Sequence, residues 1–139
     1  MSLASVHKFE KAVIWFLNSM EGWNLTHTGE DYEIYDAKGY TPKGNKCVIE
    51  MKFRKTYYPT KMIELEKYRR LMALPDDIVK IYFVSDPEGT YMFWLDGLEK
   101  MQKVEKYCPK TTLWNNQRKK KEVYLLDESL ASYVNKVEE

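Results

Sequence analysis

Residues 78–95, IVKIYFVSDPEGTYMFWL, constrain the fold more than any other stretch of this chain. Two arms of apolar and aromatic residues flank Asp86, Pro87 and Gly89, which hold the first, second and fourth positions that a type I turn favours. A strand that is apolar on both sides is covered on both faces, whereas a strand with one wet face alternates. The stretch therefore predicts a hairpin inside a sheet that carries layers above and below it.

The flanking segments supply those layers. Residues 5–20 place Val6, Phe9, Val13, Phe16, Leu17 and Met20 on one helical stripe, with Ser5 as N-cap and Gly22 as stop. Glu10 falls at the margin of that stripe, and Trp15 projects away from it as a partner surface. Strands are expected at 23–28, 32–41 and 46–55, the last two joined through YTPKGNK, which holds the Pro, Gly and Asn of a reversal. Pro59 and Thr60 open a second helix over about 61–74, with Met62, Leu65, Tyr68 and Met72 facing inward. Residues 98–107 read as a short charged helix, 109–121 as a basic loop, 122–126 as a strand, and 128–137 as a helix capped by Asp127. The whole order describes an α/β sheet with helices packed on it.

With 139 residues, 44% of them hydrophobic and 31% charged, the chain has the size and composition of one folded domain spanning 1–139. No apolar run approaches the roughly 20 residues of a membrane span, and no signal pattern opens the chain, so a cytoplasmic protein is expected. Cys47 and Cys108 read as reduced thiols; with only His7 and His27 beside them they offer no zinc cage, and neither histidine receives a role. Charge is unevenly spread. Residues 1–36 hold two basic and six acidic side chains, while residues 43–70 hold nine basic and three acidic ones. Arg54, Lys55, Lys61 and Lys67 either grip nucleic-acid phosphates or serve as solubilising charge.

The stretch CVIEMKFRK, residues 47–55, alternates Cys47, Ile49, Met51 and Phe53 with Val48, Glu50, Lys52 and Arg54. A carboxylate and an ammonium thus project from one face of a strand. Across the expected hairpin lies Asp36. Facing residues of an antiparallel pair have a constant sum of numbers, and only an even sum, 86 or 88, sets Asp36 on the side of Glu50 and Lys52. Two carboxylates held together repel unless a cation lies between them, and hard divalent ions such as Mg2+ take such oxygens. Lys52 beside them would orient water and stabilise charge developing on phosphorus.

Asp36, thirteen residues, then Glu50-Met51-Lys52 on the following strand resembles the PD-(D/E)XK nuclease superfamily, with the amphipathic helix before and the basic helix after in matching order. The resemblance covers about residues 5–85, and YDAKGYTPKGNKCVIEMKFRK looks most like small phage and Holliday junction resolvase-type members. It implies a restriction endonuclease-like core, α-β-β-β-α-β, with a central mixed sheet flanked by helices. It also implies metal ligation by Asp36, Glu50 and the carbonyl of Met51, a water-mediated contact from Glu10, and Lys52 as catalytic lysine. Mg2+ is the implied cofactor, Mn2+ a substitute, DNA the substrate and a homodimer the working form. Tyr35 stands where the pattern often has proline. The alternative is a catalytically inactive nuclease fold that binds DNA or protein.

Overall fold

The structure is a computed structural model and describes residues 2–31, 33–98, 102–109 and 118–137. Helix α1 (Leu3–Met20) is followed by strands β1 (Asn24–His27), β2 (Ala37–Tyr40), β3 (Lys46–Phe53) and β4 (Thr60–Glu64). Helix α2 (Leu65–Met72), β5 (Val79–Asp86), β6 (Gly89–Trp94), β7 (Gln102–Pro109), β8 (Arg118–Asp127) and β9 (Tyr133–Lys136) complete the order. Strands run β1-β2-β3-β5-β6-β9 in a six-stranded sheet and β4-β8-β7 in a second, three-stranded one. β3 and β5 are parallel, which α2 makes possible as the crossover between them, and the other pairings are antiparallel.

The hairpin β5–β6 is covered on both faces, as its composition requires. On one face Ile81, Phe83 and Met92 join Ile49, Met51 and Ala37 beneath Ile14 and Leu17 of α1. On the other, Tyr82, Val84, Tyr91 and Phe93 join Val48 beneath Leu71 of α2, Ile63 of β4 and Leu126 of β8. Among the described residues no helix is long and apolar enough to cross a membrane. Cys47 is a buried free thiol, and burial pushes its pKa up to about 11.

Several elements depart from the sequence reading. The buried row of α1 is Glu10, Ile14 and Leu17, one step round the helix from the expected stripe. Phe9, Phe16 and Met20 consequently stay about half exposed or more, at 49%, 45% and 67%. Trp15 is exposed, as expected. The second helix starts at Leu65, because Lys61, Ile63 and Leu65 bury at alternate positions while 60–64 pairs with β8. Residues 102–109 form a strand, since Val104 packs at period two between exposed Lys103 and Glu105 and β8 offers a long partner. Asp127 does cap, accepting from the Ser129 N–H at 2.9 Å, but only a single 3-10 turn follows. The chain then pairs Tyr133–Lys136 with the otherwise open edge of β6. Of the expected loop 109–121, residues 110–117 lie outside the described residues, and 118–121 belong to β8.

Candidate active site at the end of the β2–β3 ladder

The reversal between β2 and β3 is closed by the Asn45 carbonyl, which accepts from the Thr41 N–H, and by Gly44 at φ 85°, a conformation that favours glycine. It sets Ala37 opposite Ile49, whose numbers sum to 86, but Asp36 leaves that register: residues 36 and 37 both face Ile49, so the carboxylate does not pair across from Glu50. At Asp36 the ladder ends. The Asp36 N–H still donates to the Ile49 carbonyl at 2.9 Å, but the next N–H along that edge, Met51, donates to the Asp36 carboxylate (Oδ2, 2.8 Å). A side chain has replaced the main chain as acceptor. The carboxylate therefore lies at the edge of β3, between the two faces of the sheet. N–H and C=O of one strand residue point to the same edge, which puts the Met51 carbonyl beside it.

Glu50 approaches from the α2 face and is only 4% exposed. Its Oε1 lies 3.7 Å from the Lys67 ammonium, and its Oε2 is buried without a hydrogen-bond partner. Such an orphaned oxygen is expensive in a native interior. Burial, then the charge of Asp36, pushes the Glu50 pKa up to about 8, against the opposing pull of Lys67 and Lys52. Burial also raises Asp36, offset by the Met51 N–H and reinforced by Glu10. Two desolvated carboxylates without adequate counter-charge keep a proton at neutral pH. A divalent cation fits this donor set: it supplies the missing charge and a partner for Glu50 Oε2.

Glu10 reaches the same region from the α1 face, close enough for its charge to raise both Asp36 and Glu50. Lys52 stands exposed on the strand that carries Glu50, and its charge lowers both carboxylates. Lys67 turns inward, donating to the Ile34 carbonyl at 3.2 Å besides meeting Glu50. Arg54 is half-buried with Nη2 3.5 Å from the Met62 carbonyl, and Lys55 is exposed.

Lys61 is a correction. Expected among the phosphate contacts, it is 4% exposed and donates to Asp86 Oδ2 at 2.8 Å and to the Tyr58 carbonyl, with its ammonium over the Tyr57 and Tyr91 rings. An alternating strand turned it into the interior, where it neutralises a buried aspartate.

Two residues given no role belong here. His7 Nδ1 lies 2.9 Å and His27 Nε2 2.8 Å from the same oxygen of Glu10, Oε1. The i,i+3 spacing of His7 and Glu10 signalled a shared helix face. The arrival of His27 depends on how β1 docks against α1, which no local pattern encodes.

No family model matches the sequence, and no curated protein matches it. Among solved structures, the chain superposes on Hjc, a Holliday junction resolvase from the archaeal hyperthermophile Archaeoglobus fulgidus, with a TM-score of 0.59. The match covers 94% of this chain and 89% of that one at 13% identity. The chain shares the fold of that resolvase. Within this restriction endonuclease-like fold, Asp36 and Glu50-Met51-Lys52 occupy the end of the hairpin β2–β3, and β4, β7 and β8 form the second sheet.

Proposed function

We propose that the chain is a single-domain, metal-dependent nuclease that hydrolyses DNA phosphodiester bonds, selecting branched or ended substrates by shape. The observation that carries this reading is the unpartnered Glu50 Oε2, buried beside Asp36 and next to an exposed lysine. The likeness to a resolvase supports the substrate class. Asp36, Glu50 and the Met51 carbonyl would hold Mg2+ or Mn2+, with Glu10 reaching the ion through water. When bound, the ion supplies Lewis acidity toward a phosphate oxygen and neutralises the carboxylate pair.

The protein's own groups then have distinct tasks. Lys52 orients the attacking water and stabilises the negative charge that develops on phosphorus. In-line attack expels the 3′ oxygen and leaves a 5′ phosphate. Glu10 fixes the water on the α1 side, and Lys55, exposed just past β3, contacts the phosphate backbone together with Arg54. Trp15, exposed on α1, is the proposed homodimer contact, and the cytoplasm the proposed compartment.

One observation favours the inactive-module reading: the Lys67 ammonium already gives Glu50 a partial internal counter-ion at 3.7 Å. Incubation with four-way, linear and single-stranded DNA plus Mg2+ or Mn2+ decides between the two. Cleavage that falls by about 100-fold or more in Asp36→Ala and in Lys52→Ala is expected. Salt-sensitive binding without cleavage establishes the module, and cleavage indifferent to both substitutions refutes the assignment of the site.

A further inference from the structure

Outside the carboxylate pair, His7, Glu10 and His27 bring Nδ1, Oε1 and Nε2 within 4.8 Å of one another. We infer that these three side chains form a second, chemically different metal site that takes a borderline transition ion of the zinc class.

The donor set decides the ion. Two imidazole nitrogens and one carboxylate oxygen suit Zn2+ and its first-row neighbours, whereas Mg2+ and Ca2+ prefer all-oxygen ligands. The geometry is convergent as well as close. The His7 and His27 rings meet edge-on, with planes at 76° and centroids 5.5 Å apart, so their nitrogens approach Glu10 from different directions, as ligands around a tetrahedral ion do. All three side chains are withdrawn from solvent, at 16%, 4% and 12% exposure for His7, Glu10 and His27. The walls are held: a Cβ added at Gly29 would fall 2.6 Å from Glu10 Oε1 and 2.8 Å from His27 Nε2, so the loop after β1 closes directly over the cluster. Lys11 ties that loop to α1 through Glu30 at 2.9 Å, which fixes the loop over the cluster.

Both hydrogen bonds to Glu10 use Oε1; among the described residues Oε2 has none. The same carboxylate whose charge reaches Asp36 and Glu50 would thus be anchored by an ion on its far side. That arrangement makes His7 and His27 residues that position Glu10, with the transition ion as the clamp. The site stands on its own donors, and its existence does not require that the chain cleave DNA.

The test is zinc titration of the full, chelator-stripped protein, followed by calorimetry and by zinc X-ray absorption of the loaded sample. A zinc site that persists in the Asp36→Asn, Glu50→Gln double variant, even in millimolar Mg2+, is expected. His7→Gln and His27→Gln should each weaken it more than about 100-fold, since loss of even an outer-shell partner costs on the order of 10–100-fold. The absorption spectrum should show scattering from two imidazoles, a readout on the native chain that holds even where a variant fails to fold. Zinc lost with Asp36 and Glu50 but not with the histidines, or a spectrum without imidazole, overturns the proposal.

Discussion

Replacing Glu50 by glutamine should stabilise the metal-free protein, and by an amount that depends on pH in a defined way. Glu50 is pushed from its ordinary 4.5 to about 8 when the chain folds. A carboxyl whose pKa is raised by folding contributes most below its unfolded value, and that stability is lost as pH climbs through the interval between the two. At pH 7 the native state keeps a proton that the unfolded chain released near 4.5. The difference of about 2.5 pH units, at about 1.36 kcal/mol each, is about 3 kcal/mol. Glutamine has the shape of the protonated acid and carries no such cost. The like charge of Asp36 is already contained in that shift, while the loss of the Lys67 contact offsets a few tenths of a kcal/mol at most, because that ammonium is 31% exposed. Urea titration in EDTA reads the effect as a midpoint rise of about 1–3 M at pH 7, given slopes of about 1–3 kcal/mol/M. At pH 4.5 the gain should shrink to about 0.4 kcal/mol. A variant no more stable than the parent at pH 7, or equally stabilised at both pH values, would refute the claim that Glu50 is buried without sufficient counter-charge.

Three further outcomes follow from other contacts. Lys61→Ala leaves Asp86, whose side chain is 2% exposed, without its counter-ion; a loss of about 3–5 kcal/mol in chemical denaturation is expected, and a neutral result would place Lys61 on the surface. Gly29→Ala drives a methyl group against Glu10 and His27, which should cost about 1–3 kcal/mol; unchanged thermal stability would show that the loop does not press on the cluster. Lys52→Ala, at an exposed position, should alter stability by no more than about 0.5 kcal/mol while abolishing cleavage, and circular dichroism melts would expose any general loss of structure instead.

The parts of this fold that could be read from the chain are those in which one physical signal dominates. The hairpin 78–95 has no polar face to leave in water, so its position inside the sheet follows from composition. The β2–β3 hairpin follows from a turn rich in Pro, Gly and Asn, but its register does not: sums of 86 and 88 are equally open, and the step out of the ladder at Asp36 depends on contacts the turn does not encode. Competition between signals explains the rest. Residues 60–64 carry helix-compatible Lys, Met and Glu, and only the pairing of Ile63 with Tyr124, sixty-one positions away, makes them a strand. Tyr133–Lys136 would suit a helix end equally well until the open edge of β6 recruits it. On α1, Phe9 and Phe16 suggested the buried stripe, yet a row containing Glu10 is the one that packs, because His7 and His27 satisfy that carboxylate. A buried acid reads as surface until its partners are known.

The most direct test of the whole account is manganese in a crystal of this protein. Anomalous scattering should place an ion about 2.1 Å from both the Asp36 carboxylate and Glu50 Oε2, at the edge of β3 where the β2 ladder stops. Manganese bound elsewhere, with that Glu50 oxygen still unliganded at saturating metal, would contradict it.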